Sequence, residues 1–495
     1  MERFDVIVVG AGLAGLACGF DLSSVGQRVL VVEANPWVGG RTASWEQDGM
    51  PVESGLHRYL GFYKAMPALL ERAGLPIEKV VHWEYDIEIR SADGTRGVFG
   101  VAPRYAPART LAGLLGNNAL LSPKDKISLV PTLALGLADY LFRPGWLDQQ
   151  SARHYARARR ATERAVSNLV VPLTSGLFFL PPERYSAYAF TMPFAAALSD
   201  LTRLRVGAFR GGMTEVMAAP LAAAIERRGG VVRTSAPVRR LLVEGGRVTG
   251  VELESNKVIL ARHVVVATSL RPAKTLLEPF ASHPWYAPIE ALPTMPVVTI
   301  QLELDHPSLP VDRTTFGPGT SMASFAEQSR TTFQHVPGRL SVILTPPERF
   351  IQMRPDEILR IVVDDAAKLG MQLEGHILRY RVVKLPHDFY SLAPGNHHLR
   401  PDQATPIPGL TLAGDYTRQP LLGTMEGAVI SGERAARLVL RESEGETISR
   451  VEADTAPASA TRAQSLKQTK ASKQTKTSKQ TKASEQTKPS KQTKA

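Results

Sequence analysis

The sequence contains a single cysteine, Cys18, among its 495 residues. One thiol can form neither a disulfide framework nor a cysteine-rich metal site, and its small neighbours indicate a buried position on a helix. No uncharged apolar run reaches about 18 residues, so we expect no membrane-spanning helix. No basic and apolar leader precedes the first predicted strand, which favours a cytoplasmic protein.

Acidic residues are almost absent from residues 465–494, which hold nine lysines and one glutamate. This segment carries +8 of the net charge of +12, so the rest of the chain is only mildly basic. Without a clustered basic face, we expect no nucleic-acid partner for the folded body. The segment is five six-residue repeats ending in Gln-Thr-Lys, and we predict a disordered tail that either solubilises the protein or weakly attracts anionic membranes.

Groups for hydrolytic or metal chemistry are also lacking. We find no Ser-His-Asp set, no pair of carboxylates at a catalytic spacing and no cluster of metal ligands, so we expect no metal. Only 7% of the residues are aromatic. Several of them nevertheless cluster between residues 178 and 190, which is typical of either the wall of an apolar pocket or ordinary core.

The first forty residues carry the clearest pattern that is present. An apolar run ends at Gly10-Ala11-Gly12-Leu13-Ala14-Gly15, a small-residue helical pattern follows, and a second apolar run ends in Glu33. Gly10 permits the tight turn, Gly12 lets a pyrophosphate approach the backbone, and Gly15 lets the helix pack closely on the sheet. The helix N-terminus offers N–H groups to phosphates. This pattern predicts a Rossmann-like dinucleotide site.

Glu33 lies 18 residues after Gly15, where a carboxylate accepts hydrogen bonds from a ribose diol and repels a 2′-phosphate. NADP is therefore not expected at this site. Gly39-Gly40-Arg41 follows shortly, and it is either a plain turn or a second approach of the backbone to the same pyrophosphate; its closeness to Glu33 favours the cofactor.

Two further stretches leave alternatives open. His57 lies between Gly55 and Gly61 and is either a structural histidine or a residue beside a ligand. Residues 127–142 form an apolar helical pattern flanked by Lys124, Lys126 and Arg143. This pattern indicates either a buried helix or one that inserts shallowly into a membrane.

Three stretches together resemble the flavin amine oxidase superfamily: residues 10–33, Gly39-Gly40-Arg41 and Ala413-Gly414-Asp415. Residues 53–63 and 413–432 are most similar to the plant and cyanobacterial phytoene and ζ-carotene desaturases. The resemblance covers residues 4–441. It implies an α/β fold with a GR2-type Rossmann-like FAD-binding domain, an interleaved α+β substrate domain and the disordered tail. The expected segments are FAD-binding 1–90, 205–272 and 405–441; substrate and membrane-facing 91–204 and 273–404; and tail 442–495.

The resemblance also implies FAD as the cofactor, an apolar polyprenoid substrate, a quinone electron acceptor and a peripheral membrane surface. Val238 would hold the adenine through its backbone, Asp415 the ribitol chain, and the Met425 N–H the flavin ring, with His57 as a candidate catalytic residue. The complete set of expected cofactor-binding residues is Gly10, Gly12, Leu13, Ala14, Gly15, Glu33, Ala34, Gly40, Arg41, Thr42, Val238, Gly414, Asp415, Met425 and Ala428.

The leading hypothesis is an FAD-dependent desaturase in which flavin N5 accepts a hydride from a carotenoid-type polyprenoid. A squalene-type dehydroxylase or an amine oxidase on the same flavin fold is the second hypothesis. The third is a non-enzymatic adaptor that associates with membranes or nucleic acid through the basic tail.

Overall fold

The computed structural model describes residues 2–100, 118–198 and 205–455, together with a few isolated residues between these ranges, and side chains as far as residue 443. Residues 1–438 form one compact unit. The strands of this unit are β1 Glu2–Val9, β2 Val29–Val32, β3 Ser44–Gln47, β4 Met50–Glu53, β5 Tyr59–Leu60, β6 Val81–Trp83, β7 Asp86–Arg90, β8 Arg96–Gly100, β9 Val206–Phe209, β10 Val231–Arg233, β11 Val238–Glu244, β12 Arg247–Leu253, β13 Val258–Val266, β14 Thr294–Leu304, β15 Thr315–Phe316, β16 Met322–Glu327, β17 Gly338–Leu344, β18 Ile377–Tyr390 and β19 Leu410–Leu412.

The helices lie between the strands along the chain. The α-helices are α1 Leu13–Ser24, α2 Ala65–Arg72, α3 Ile77–Val80, α4 Pro123–Phe142, α5 Pro144–Asp148, α6 Ala152–Ala158, α7 Glu163–Ala165, α8 Val171–Phe178, α9 Ala187–Leu198, α10 Ala219–Glu226, α11 Leu270–Leu277, α12 Ala287–Ala291, α13 Pro347–Phe350, α14 Pro355–Lys368 and α15 Met425–Thr455. Short π-helical turns precede α8 and α10, and 3-10 turns lie at Gly40–Thr42, Glu278–Phe280, Gln328–Arg330 and His397–Leu399.

The first large sheet has the order β10-β2-β1-β13-β12-β11, with β19 beside the second half of β13. Strands β10, β2, β1, β13 and β19 are parallel, and β11 and β12 form an antiparallel hairpin on β13. The second half of β1 and the whole of β2 consist of buried valine, isoleucine and leucine, as expected for parallel strands that are covered on both faces. Because these strands are parallel, the carboxyl ends of β1, β2 and β19 lie at the same edge of the sheet.

The second large sheet has the order β18-β14-β17-β16-β15-β7-β8 and is antiparallel except between β15 and β7. Side chains alternate along its long central strand β14. Val298, Ile300 and Leu302 pack in an apolar cluster with residues of α14. Thr299, Gln301 and Glu303 face the other way and are also buried. This polar face is the one that adjoins the segment containing His57.

Helix α4 turns its apolar stripe outward. Its inward side carries the buried residues Asp125, Thr132 and Asp139, and Asp139 accepts hydrogen bonds from Tyr155, Arg143 and Arg159. The large apolar side chains of its outward side are Ile127, Val130, Leu135, Leu141 and Phe142, and between 50% and 81% of each is exposed. The alternative of a fully buried helix is therefore wrong, because these five apolar side chains are exposed; Leu129 and Gly136 are buried on the inward side beside the polar residues.

The last helix, α15, extends to Thr455, and no proline interrupts residues 441–455. Residues 442–455, which the predicted division assigned to the tail, therefore continue this helix, and the repeats of the tail lie outside the described residues.

Residues 86–90, which the predicted domain division placed with the FAD-binding segments, form β7 and pair with β15 in the second sheet. Cys18 is buried on α1, and burial raises the pKa of its thiol well above the ordinary range. Among the described helices, none has the length and hydrophobicity needed to cross a lipid bilayer.

Candidate active site

The glycine-rich turn after β1 has the geometry that its spacing predicts. Gly10 has a φ of 105°, which an L side chain rarely adopts, and a Cβ there would lie 2.9 Å from the Ala267 carbonyl oxygen. A Cβ on Gly15 would lie 1.9 Å from the Gly10 carbonyl oxygen, so only glycine lets α1 approach β1 this closely. A Cβ on Gly12 would meet only Gly40 Cα, at 3.9 Å. The space beside Gly12 therefore lies toward the second glycine loop.

Helix α1 begins directly after Gly12, and its first turn has neither a capping side chain nor an acidic residue. The N–H groups of this turn are consequently available to an anion, and the helix dipole adds positive potential at the same point.

Glu33 follows β2 and lies beside this turn. Its carboxylate accepts hydrogen bonds from the Ala11 N–H at 2.8 Å and from the backbone and side chain of Asn35 at 3.0 Å each. These contacts fix the carboxylate at the end of the parallel sheet, and its remaining lone pairs can accept hydrogen bonds from a ligand diol.

The second glycine loop lies against the first. The Gly39 N–H donates to the Ala11 carbonyl at 2.9 Å, and both Gly39 and Gly40 have positive φ. Arg41 pairs with Asp415, and its guanidinium lies 4.6 Å from the centre of the Phe389 ring. Burial raises the pKa of the nearby Asp388, although the positive charge of Arg41 opposes this effect. The positively charged guanidinium of Arg41 therefore lies near two carboxyl groups, those of Asp388 and Asp415.

The loop that follows β19 carries Asp415 and is held by residues that the sequence patterns did not indicate. Arg400 is only 2% exposed, and its guanidinium donates to the backbone carbonyls of residues 415, 416 and 417. Gln403 donates to Thr417 Oγ1 at 2.8 Å, and the Gly414 N–H donates to Ser431 Oγ at 2.8 Å. Spacing does not predict these contacts, because they join residues 14 to 17 positions apart that belong to no periodic pattern.

Glu426, the second residue of α15, is another functional contact that the sequence patterns missed. Its carboxylate accepts hydrogen bonds from the N–H groups of Lys64, Ala65 and Met66, each at 2.7 Å. It thereby caps the N-terminus of α2. This contact fixes the start of α15, where Met425 lies, against the segment that follows His57.

Buried polar groups clamp the segment containing His57 at both ends. Before it, Gln301 donates to the Glu53 carbonyl and Gln328 donates to the Glu53 carboxyl. After it, Arg58 pairs with Glu84 at 2.8 Å and with Asp312. Removal of one partner of a buried ion pair typically lowers the free energy of unfolding by about 3–5 kcal/mol. These pairs therefore hold the segment in place.

His57 itself projects into the interior of the site. Burial lowers the pKa of its imidazole to about 4, and the positive charge of Arg41 acts in the same direction. Its Nδ1 atom is buried and has no hydrogen-bond partner within the part of the chain that the structure describes. The structure therefore presents a neutral imidazole with one unused nitrogen at neutral pH.

One cavity of about 1000 Å³ joins these parts. His57 lines it, as do all the expected cofactor-binding residues except Gly15, which packs between α1 and β1. Apolar side chains line another part of the cavity, among them Leu177, Phe178, Phe179, Met192, Val297, Ile343 and Leu385. Of the aromatic cluster between residues 178 and 190, Phe178 and Phe179 line the cavity, whereas Tyr188 stacks on Tyr140.

Comparison with known proteins identifies the family. The family described as flavin containing amine oxidoreductase matches residues 13–440. The chain belongs to this family. Its cofactor is FAD, and it is an oxidoreductase, as the resemblance implied.

Two curated relatives come from Synechococcus elongatus. The 15-cis-phytoene desaturase is 29% identical over 88% of this chain and 95% of its own length. The probable ζ-carotene desaturase is 28% identical over 88% and 98%, respectively. Among solved structures, a putrescine oxidase variant has a TM-score of 0.70 at 19% identity and covers 89% of this chain and 99% of its own. This structural similarity confirms the α/β fold of flavin amine oxidases.

The residues at the site fit FAD. Gly12 leaves room where a side chain would project, α1 offers unpaired N–H groups, and Glu33 supplies acceptors at the end of β2. Arg41, which pairs with Asp415, lines the same cavity beside the second glycine loop. The cavity is continuous from these groups to Asp415 and Met425.

Proposed function

We propose that the chain introduces double bonds into a carotenoid-type polyprenoid. The observation that carries this proposal is the single cavity that joins the glycine loops to an apolar wall of Phe178, Phe179 and Met192. The names of the curated relatives, phytoene and ζ-carotene desaturase, support the same substrate class.

We assign the expected cofactor-binding residues to FAD in the following way. The N–H groups of α1 and Arg41 bind the diphosphate, Glu33 binds the adenosine ribose, and Val238 lies beside the adenine. Asp415 binds the ribitol chain, and the Met425 N–H at the start of α15 faces the flavin ring. Bound FAD would supply a two-electron acceptor for a hydride from one substrate carbon, and a proton would leave the adjacent carbon to complete the double bond.

The protein's part in this reaction is orientation and exclusion of water. An apolar wall holds a hydrocarbon chain in one register, so the reacting carbon is held near the acceptor without any charged group. His57 contributes a neutral imidazole beside this region, and its free Nδ1 can hydrogen-bond an oxygen of the flavin or of a quinone. We propose a quinone as the electron acceptor, because membrane quinones dissolve in the lipid phase like the substrate and accept two electrons.

An amine substrate fits the cavity less well. Binding an ammonium ion requires a carboxylate that is not already neutralised. Among the described residues lining the cavity, Asp388 and Asp415 both face Arg41, and Glu33 already accepts bonds from the glycine loop. The fourth carboxylate, Glu254, is exposed and lies next to Val238, far along the chain from the apolar wall residues. The adaptor hypothesis does not explain the body of the chain, which is a flavin oxidoreductase along residues 13–440.

We also propose that α4 attaches the protein peripherally to a membrane, from which a water-insoluble substrate is taken. Five large apolar side chains face outward on this helix, and Lys124, Lys126 and Arg143 flank them. Anionic headgroups attract such flanking cations, while the apolar stripe enters the acyl boundary. The neighbouring helix α9 contributes Met192 and Pro193 to the cavity wall, so this part of the cavity lies close to α4.

Expression in cells that accumulate phytoene tests the proposal. We expect more highly desaturated polyenes in cells with the native chain and unchanged phytoene in cells with Asp415→Ala, which removes a proposed FAD contact. A yellow flavoprotein that leaves phytoene, ζ-carotene and related polyenes unchanged would refute the assigned substrate class. Peroxide release with an amine under the same conditions would select the amine oxidase instead.

A further inference from the structure

A cluster of two histidines and one aspartate lies at the end of the second large sheet. Asp305 directly follows β14, and His376 directly precedes β18. The last residue pair of these two strands is Leu304 with Ile377, and the Asp305 N–H donates to the His376 carbonyl at 3.1 Å. The sheet therefore fixes the backbone on both sides of the cluster.

The ligating atoms of the cluster converge. His306 Nδ1 lies 2.5 Å from Asp305 Oδ1, and His376 Nδ1 lies 3.2 Å from Asp305 Oδ2. The two imidazole rings are nearly perpendicular, with centroids 4.5 Å apart. One atom from each of the three residues can be chosen so that all lie within 4.8 Å of one another. Both histidines thus direct the same nitrogen toward one carboxylate.

The chemistry of these donors selects a class of ion. Two imidazole nitrogens and one carboxylate oxygen suit zinc and other divalent transition metals, whereas calcium and magnesium require mainly oxygen ligands. All three side chains have solvent access, so water can complete a four-coordinate shell. Within the part of the chain that the structure describes, none of these three residues lines the cavity of the candidate active site.

We propose that Asp305, His306 and His376 bind one zinc ion or a similar divalent transition metal. The ion replaces the hydrogen bonds within the cluster by three coordinate bonds and cross-links the ends of β14 and β18. Its role is to stabilise this end of the substrate-binding sheet, and it takes no part in the flavin chemistry. His376 lies 71 positions after Asp305 in the chain, and for this reason the sequence spacing did not indicate a metal site.

Titration of the metal-free, FAD-loaded protein with ZnCl₂ by calorimetry tests this inference, with Co²⁺ absorption as a second readout. We expect one ion per chain and a rise in the thermal unfolding midpoint on addition of Zn²⁺. Asp305→Asn and His376→Gln should each weaken binding at least about tenfold. His154→Gln, which removes an exposed histidine from α6, is the matched control and should bind like the native chain.

Two outcomes would overturn the inference. One is the absence of saturable binding up to millimolar Zn²⁺ by the native chain. The other is binding that survives both Asp305→Asn and His376→Gln, which would place the ion elsewhere. The flavin absorption spectrum of each variant verifies that it remains folded, so a loss of metal binding is not confused with unfolding.

Discussion

Gly12 and Gly15 lie three residues apart in one turn, but the structure requires them for different reasons. A side chain at Gly15 collides with the Gly10 backbone, whereas a side chain at Gly12 projects into open space beside Gly40. We therefore expect Gly15→Ala to lower the free energy of unfolding of the apoprotein, by roughly 1–3 kcal/mol, because the clash forces a backbone shift.

Gly12→Val should leave the stability of the apoprotein nearly unchanged and weaken FAD binding at least about tenfold, which corresponds to about 1.4 kcal/mol. Chemical unfolding of the apoproteins and flavin absorbance titration distinguish the two effects. Equal losses of stability in both variants would contradict the assignment of the space beside Gly12 to the diphosphate.

Arg400 supports the cofactor site from behind, through the three backbone carbonyls of residues 415–417. Arg400→Gln leaves buried carbonyls without donors, so we expect the free energy of unfolding to fall by roughly 2–4 kcal/mol and FAD affinity to fall as well. Arg360→Gln removes an exposed ion pair on α14 and should change stability by no more than about 0.5 kcal/mol. Unchanged FAD affinity in Arg400→Gln would show that the loop needs no such support.

Glu53 makes the stability of the protein depend on pH. Burial raises its pKa to about 7 from the ordinary 4.5. Between these values the unfolded chain releases a proton that the folded chain keeps, so the free energy of unfolding falls as pH rises through this window. Relative to Glu53→Gln, we expect the native protein to lose up to about 1.4 kcal/mol per pH unit between about pH 5 and 7.

Unfolding curves at a series of pH values measure this difference. Glu46→Gln, at an exposed position, provides the control and should follow the native pH profile. Parallel profiles for Glu53→Gln and the native chain would mean that Glu53 titrates normally in the folded state.

At the scale of the elements, α4 is the clearest case of a face that its sequence could not assign. The hydrophobic period of residues 127–142 indicates a helix, but the same period fits a stripe that faces inward or outward. The direction is set by Asp125 and Asp139, whose partners lie on α6 or in the connection between α6 and α7: Thr162 for the first and Tyr155 and Arg159 for the second.

Serine substitutions on the outward stripe test its proposed role. We expect Ile127→Ser, Leu141→Ser and Phe142→Ser together to reduce sedimentation with anionic vesicles severalfold, without lowering the free energy of unfolding, because these side chains are exposed. Leu378→Ser replaces an equally exposed leucine on β18 and is the control. Vesicle binding that is unaffected by the triple substitution would remove α4 from the proposed membrane surface.

The β1-α1-β2 unit shows the opposite situation, because everything that defines it is local. The apolar runs, the glycine spacing and the terminal glutamate all lie within forty residues, so the sequence predicted both the fold of this unit and its cofactor class. The contacts of Arg400, Glu426 and Arg58 join distant segments through side chains, and no short-range pattern predicts them.

At the scale of the whole molecule, two sheets enclose one cavity. The chain leaves the first sheet after β2, returns to it for β10 to β13, builds most of the second sheet with β14 to β18 and returns to the first sheet for β19. Glu33, His57 and Asp415, which are far apart in the chain, meet at the cavity because β13 pairs with β1 and β19 pairs with β13. The family resemblance predicted this return, which composition and periodicity alone did not.

We expect a polyprenoid held in this cavity to reduce the bound flavin. The decisive experiment is anaerobic mixing of the FAD-loaded chain with phytoene in lipid vesicles, followed by flavin absorbance and product analysis. We predict loss of the oxidised flavin spectrum and one new double bond in the polyene for each flavin that is reduced. A flavin that stays oxidised with phytoene and ζ-carotene, but is reduced by an amine, would refute polyprenoid oxidation at this site.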